Sequence, residues 1–197
     1  MVGTASRISR TVFIAVSVWL LIALAAGYLR LLEPAPRVAI QGILVALTAG
    51  VLLAFWKIRS FHDWLMALSL RALILFHAVR FIGLYFLVLY RRGELPFAFA
   101  VPGGYGDIAV AITALLVAGC LLNNPASRRI ILTWNLLGLI DILLVVVTAA
   151  RLGLAKPDSM LALTRLPLSL LPTFIVPLII TSHLIIFYRL RRSPHPA

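Results

Sequence analysis

Cysteine is almost absent from this chain, and so is acid. Cys120 is the only cysteine in 197 residues. That excludes an intrachain disulfide and any zinc site built from paired cysteines. Six acidic residues stand against 18 basic ones, a formal net charge of +12. The sequence also lacks a His-Glu-x-x-His helix, a Gly-x-Ser-x-Gly elbow and an Asp-x-x-Asp pair. No serine or threonine has a base and an orienting acid recognisable from spacing. Covalent and hydrolytic chemistry therefore has no residue set, the catalytic residues are unknown, and a non-enzymatic role is the expectation. There is no linker, no low-complexity stretch and no repeat of one half in the other, so an inverted-repeat transporter has no support.

What is present is apolar. Hydrophobic residues make up 62% of the chain, charged residues only 12%, and the mean hydropathy is +1.07. A water-soluble domain of this length cannot hide so much apolar surface. Lipid must solvate much of it. The basic residues lie mostly between apolar runs, as membrane proteins place them, and no aromatic–basic motif accompanies them. Nucleic acid is thus not an expected partner.

A membrane helix needs about 20 residues. Six runs qualify, at 12–32, 38–56, 67–90, 107–122, 130–150 and 168–188. The expected fold is an all-α bundle of six spans forming one multi-pass domain over 1–197. The first run has a second reading as a signal peptide, with a basic start and Ala23-Leu24-Ala25 as a cleavage site. Its apolar character continues through Tyr28, Leu29, Leu31 and Leu32, which favours a retained helix.

Loop arginines and lysines set orientation. With the N-terminus inside, Arg7, Arg10, Lys57, Arg59, Arg71, Arg128, Arg129, Arg189, Arg191 and Arg192 are cytoplasmic, ten residues against seven on the other side. Both termini are therefore expected in the cytoplasm. The arginine- and alanine-rich style suggests a bacterial inner membrane. The mixed segment 57–66 reads as a short interfacial helix, with His62 and Asp63 solvated. His195 falls in a proline-rich tail.

Two stripes of small residues mark close helix approach: Gly42, Ala46 and Gly50 on the second run, and Ala111, Ala114 and Ala118 on the fourth. The former is a natural place for a second copy or a membrane partner. Asp107 shares the face of the latter, four residues before Ala111.

Charges inside a span are expensive, about 2.5–3.5 kcal/mol each on insertion scales, and turn toward the bundle interior. His77 and Arg80 share one face of the third run. Asn135, Gly138 and Asp141 form a stripe on the fifth. His183 lies on the sixth, where Pro177 leaves the carbonyl of Thr173 without its usual amide. In lipid another helix or water must satisfy that carbonyl. A rise of about 1.5 Å per residue places Arg80 about 15 Å and Asp141 about 14 Å from their outer helix ends. The same rise puts His77 about 20 Å deep, and Asn135 and His183 about 22 Å. Two layers result: an Arg80–Asp141 pair, and an inner layer of His77, Asn135 and His183.

The pair reads either as a structural ion bridge that fixes helix register or as part of a proton or small-solute path. The histidines read as neutral packing groups, as a proton relay, or as the two axial ligands of a haem b. No cofactor and no metal is the primary expectation.

The stretch AVPGGYGD, residues 100–107, interrupts two apolar runs. Segment 95–105 is read as an interfacial or re-entrant piece. Gly103, Gly104, Gly106 and Asp107 then shape an outer-mouth loop, with Asp107 capping the following helix. The glycines also permit an anion-binding nest, although the loop lacks the lysine and spacing of a P-loop. The leading function is a membrane protein with a polar core that handles protons or a small solute. A haem-binding redox protein and a structural or assembly subunit are the alternatives.

Overall fold

The structure is a computed structural model. It describes the backbone of residues 2–121 and 127–192, and the side chains of 8–120 and 127–192. The last residue of the fourth apolar run, Leu122, and His195 lie outside the described residues.

Apolar runs without water to bond their amides must satisfy them internally, and helices do this within one segment. Among the described residues every regular element is helical. The elements are α1 (Val2–Tyr28), α2 (Arg37–Lys57), α3 (Arg59–Ala67), α4 (Leu70–Leu75), α5 (Gly83–Arg91), α6 (Phe97–Leu116), α7 (Arg128–Ala155) and α8 (Val176–Arg192). A 3-10 segment, Phe76–Ile82, joins α4 to α5. A π-helical turn, Leu171–Ile175, leads into α8. Among the described residues six helical stretches are long and apolar enough to cross a membrane: Ile8–Tyr28, Arg37–Lys57, Leu70–Arg91, Phe97–Cys120, Arg128–Ala155 and Leu171–Arg192.

The largest departure from expectation is the fourth span. Segment 95–105 is neither a loop nor a re-entrant piece. Pro96 caps α6, and Phe97 to Leu116 is one helix with Pro102 inside it. Asp107 therefore sits mid-helix and caps nothing. The physical reason lies in what the glycines do. Gly103, Gly104 and Gly106 have ordinary helical backbone, and their missing side chains let neighbours approach. Glycine and proline are tolerated in membrane helices because neighbours re-satisfy the freed backbone groups.

Contacts divide the chain into two compact units. One comprises residues 1–68 and 162–178, the other 69–161 and 179–197. In the first, α1 and α2 pack with the π-helical turn, and α3 packs against α1 and α2. Trp19 donates its indole N–H to the Thr173 carbonyl at 2.8 Å. That is the carbonyl Pro177 leaves without an amide, so α1 supplies the required donor. Trp19 also meets Phe174 edge-on, 4.9 Å between ring centroids. Replacing Trp19 by Phe keeps the ring and removes the donor. We expect a loss of about 1 kcal/mol, the usual worth of an interhelical hydrogen bond in a membrane, read as a lower midpoint in detergent unfolding. At the turn after α1, Arg165 donates to Glu33 at 2.8 Å, and this bond holds the Glu33 carboxyl below its ordinary pKa.

The stripe of Gly42, Ala46 and Gly50 is exposed within the chain, and a side chain added at Gly42 or Gly50 meets nothing within 4 Å. The buried face of α2 is instead that of Ile40, Leu44 and Phe55. Segment 57–66 becomes the short helix α3, where His62 bonds the exposed carboxylate of Asp63 at 3.2 Å.

The second unit is built on α6. It packs along α5, along the 3-10 segment and along α7. Ala111, Ala114 and Ala118 are all buried, so their stripe faces protein. Arg128, at the start of α7, donates two hydrogen bonds to the Leu190 carbonyl near the end of α8. Those carbonyls have no partner inside their own helix.

Candidate functional site: a buried arginine between two carboxylates

The site lies wholly in the second unit. The 3-10 segment contributes His77 and Arg80, three residues apart. Three residues make one turn of a 3-10 helix, so the two side chains lie nearly one above the other. Both are fully buried.

Arg80 uses three directions of its guanidinium. Nε donates to Asp107 Oδ1 on α6 at 2.6 Å. Nη1 donates to the Gly138 carbonyl on α7 at 2.9 Å. Nη2 donates to Asp141 Oδ2, also on α7. Arg80 and Asp141, placed at similar depth by their distance from the helix ends, thus meet. Asp107 is the second carboxylate, and spacing alone did not bring it to Arg80. Its side chain is 4% exposed, against 24% for Asp141. The one available signal was its place on the buried alanine face, which reading 95–105 as a loop obscured.

Glycines make the approach possible. A side chain carbon at Gly106 would overlap the Asp141 carboxylate. One at Gly83 would stand 2.5 Å from the Gly104 carbonyl oxygen and 2.8 Å from Asp107 Cβ. One at Gly104 would stand 2.9 Å from the Gly83 carbonyl oxygen. The glycines expected in an outer-mouth loop are therefore the surfaces on which α5, α6 and α7 meet.

The inner layer also assembles. His77 and His183 lie in contact, with 4.1 Å between ring centroids and a 39° tilt. The Trp134 ring lies 5.4 Å from His77 and 6.0 Å from His183. Asn135 clamps His183 twice: its amide donates to the His183 carbonyl at 3.0 Å, and its Oδ1 faces His183 Nδ1 at 2.8 Å. An amide oxygen only accepts, so Nδ1 carries the proton. Ser182 gives its hydroxyl proton to the Ile179 carbonyl at 2.8 Å and lies 3.1 Å from His77 Nε2. Ser182 Oγ is then the acceptor and His77 Nε2 the donor. His77 Nδ1 and His183 Nε2 are left buried without a partner. Ser182 was not singled out from sequence, where nothing separates it from the other hydroxyl residues of its helix.

The histidine geometry does not fit a haem. Two axial ligands must stand on opposite faces of a flat macrocycle. Rings already in van der Waals contact leave no layer for it. Among the described residues no group of three or more His, Cys, Asp or Glu side chains assembles as a metal site.

Fold and site together define a class: an all-helical, membrane-embedded protein with a charged and polar cluster buried among apolar helices. The chain belongs to the family described as Domain of unknown function (DUF8737), whose model matches residues 35–191. That span contains every residue of the cluster. No curated protein and no solved structure matches the chain.

Proposed function

We propose that this protein moves protons across a bacterial inner membrane, with both termini in the cytoplasm, and that Arg80, Asp107 and Asp141 form its proton-binding station. One observation carries the reading: a single buried guanidinium is bonded to two carboxylates. With both acids ionised the cluster holds one uncompensated negative charge. Such a charge is costly in a medium of low dielectric. A proton on one carboxyl cancels it. A purely structural bridge needs only one acid per arginine, so the second acid favours a group that gains and loses charge. Asp141 is the more exposed of the two and is the carboxyl a proton reaches first. Arg80 limits the net charge of the cluster to zero with one carboxyl protonated and to minus one with both ionised. His77, Asn135 and His183 extend the polar line inward on the far side of Gly138.

The test is proton flux into vesicles reconstituted with purified protein, driven by an imposed membrane potential and read by an internal pH dye. Asp141→Asn fixes the protonated charge state and preserves shape. Flux is expected to fall to the level of empty vesicles while the protein keeps its detergent melting behaviour. Asp158→Asn, away from the cluster, keeps full flux. If Asp141→Asn conducts like the wild type, the assignment is wrong. If wild-type vesicles show no flux above lipid alone, the structural-subunit reading replaces it.

A further inference from the structure

The second unit carries an apolar groove that the proton reading does not use. Its volume is about 620 Å³, and it lies between the later turns of α6 and the first turns of α7. Ala109, Thr113 and Val117 line one wall, and Arg129, Thr133 and Leu137 the other. Residues four apart share a helix face, so each wall is one face of its helix. Trp134 also lines the groove, its indole N–H fixed on Thr113 Oγ1 at 3.1 Å. Nearer the carboxylate cluster, glycines hold the two helices close, Gly106 against Asp141 and Gly138 against Val110. At the groove's other end α6 passes into a π-helical turn, Val117–Leu121, where a side chain carbon at Gly119 would meet nothing within 4 Å.

The polar groups of this groove are few and unpaired. Among the described residues both ion pairs of the second unit are made by Arg80, and Arg128 is taken up by the Leu190 carbonyl. Neither the exposed Arg129 guanidinium nor the Thr133 hydroxyl has a partner among the described residues. The helix ends around them are cationic. Arg71 stands at the start of α4, which packs on the π-helical turn. Arg128 and Arg129 open α7, and Arg191 and Arg192 close α8. No Asp or Glu stands at this end: Glu94 precedes α6 and Asp158 follows α7, at the opposite ends of those helices.

The order of groups along α7 narrows the ligand. Arginine matches a phosphate with two parallel hydrogen bonds. Thr133 lies one turn deeper, about 6 Å, and Leu137 about 6 Å beyond it. Cation, hydroxyl and apolar wall follow the phosphate, ester carbonyl and acyl chain of a glycerophospholipid. A fatty acid would set its carboxylate on Arg129 and leave bare chain against Thr133. A zwitterionic headgroup would bring an ammonium to an end already rich in arginine, whereas an anionic one brings only charge of the opposite sign. Basic pockets between membrane helices bind anionic headgroups for this reason.

We propose that the groove between α6 and α7 binds one anionic glycerophospholipid. Its phosphate rests on Arg129, its ester carbonyl accepts from Thr133, and its acyl chain runs along Leu137 and Ala109. The site uses none of the Arg80 cluster, and neither reading needs the other to hold.

The probes are phosphatidylglycerol and phosphatidylcholine with identical chains, added to full-length protein in mild detergent. Native mass spectrometry counts the lipid each chain retains. One phosphatidylglycerol is expected in preference to phosphatidylcholine. Arg129→Gln should lower that preference about fivefold, the worth of one basic residue near anionic lipid. Arg191→Gln removes an equal charge from the same end outside the groove and should change it little. Thr133→Val should weaken retention of the ester lipid and leave its ether-linked analogue, which lacks the carbonyl, unaffected. In parallel, phosphatidylglycerol with a photoreactive acyl chain is irradiated on the unsubstituted protein, and the label is expected in 109–117 and 129–137. That map decides alone where a variant does not fold. Equal retention of phosphatidylcholine, or equal losses in Arg129→Gln and Arg191→Gln, would reduce the groove to ordinary lipid contact or surface attraction and overturn the proposal. So would label spread evenly over the other helices, or a lipid-free dimer whose second copy fills the groove.

Discussion

Replacing Arg80 by leucine is expected to destabilise the protein by about 3–5 kcal/mol, the usual cost of removing one partner from a buried ion cluster. Three hydrogen bonds disappear together, to Asp107, Gly138 and Asp141. The greater part of the loss comes from what remains: two carboxyls facing each other without a cation. The prediction has an internal control. If stranded charge is the cause, Arg80→Leu combined with Asp107→Asn and Asp141→Asn recovers most of the loss, because a neutral cluster has nothing to strand. If lost packing is the cause, the triple variant is no better than the single one. Unfolding midpoints in mixed micelles for the wild type, the single variant and the triple variant separate the two accounts. Asp107→Asn alone should cost more than Asp141→Asn alone, since Asp107 is the deeper acid.

Gly83→Ala is the second large effect, and its sign runs against helix propensity. Alanine favours a helix over glycine by about 1 kcal/mol where nothing else intervenes. At Gly83 the added carbon would stand 2.5 Å from the Gly104 carbonyl oxygen. That atom is backbone in a neighbouring helix, and it cannot swing aside as a side chain end does. Relief requires α5 and α6 to separate, which pulls on Asp107 and its bond to Arg80. Overpacking of this kind costs about 1–3 kcal/mol, and the upper end is expected here. Gly42→Ala supplies the contrast: nothing lies within 4 Å of the new carbon, so it should be neutral or slightly stabilising in the same assay.

These two positions also show where sequence reasoning succeeds and where it stops. Arg80 and Asp141 could be paired from sequence because lipid imposes a ruler: counting residues from a helix end gives depth, and opposite charges at equal depth attract. The same ruler put His77, Asn135 and His183 in one layer, and the structure joins all three. The orphaned Thr173 carbonyl was readable from Pro177, though its donor was not. Trp19 is 154 residues away, and no local rule connects them. Asp107 was misread for a physical reason. Proline and glycines before an acid are strong loop and cap signals in water, and in a bilayer the same residues serve close helix contact. That the Gly83 backbone touches Gly104 depends on how two helices cross, which composition does not encode. The tautomers of the histidines rest on Ser182 and Asn135, and single hydroxyls carry no periodic signal.

The order of synthesis adds a consequence to the Arg80 cluster. Arg80 leaves the ribosome before either of its acids, 27 residues ahead of Asp107 and 61 ahead of Asp141. At roughly 5–20 residues per second, the last partner follows after about 3–12 s. During that interval the insertion machinery handles a nascent third span with an uncompensated guanidinium near its middle, a penalty of about 2.5–3.5 kcal/mol on the insertion scale. The leucine- and phenylalanine-rich remainder of that segment must carry it into the bilayer alone. The arginine therefore enters the membrane in debt to helices not yet made, and its own bonds are complete only when the fifth span arrives.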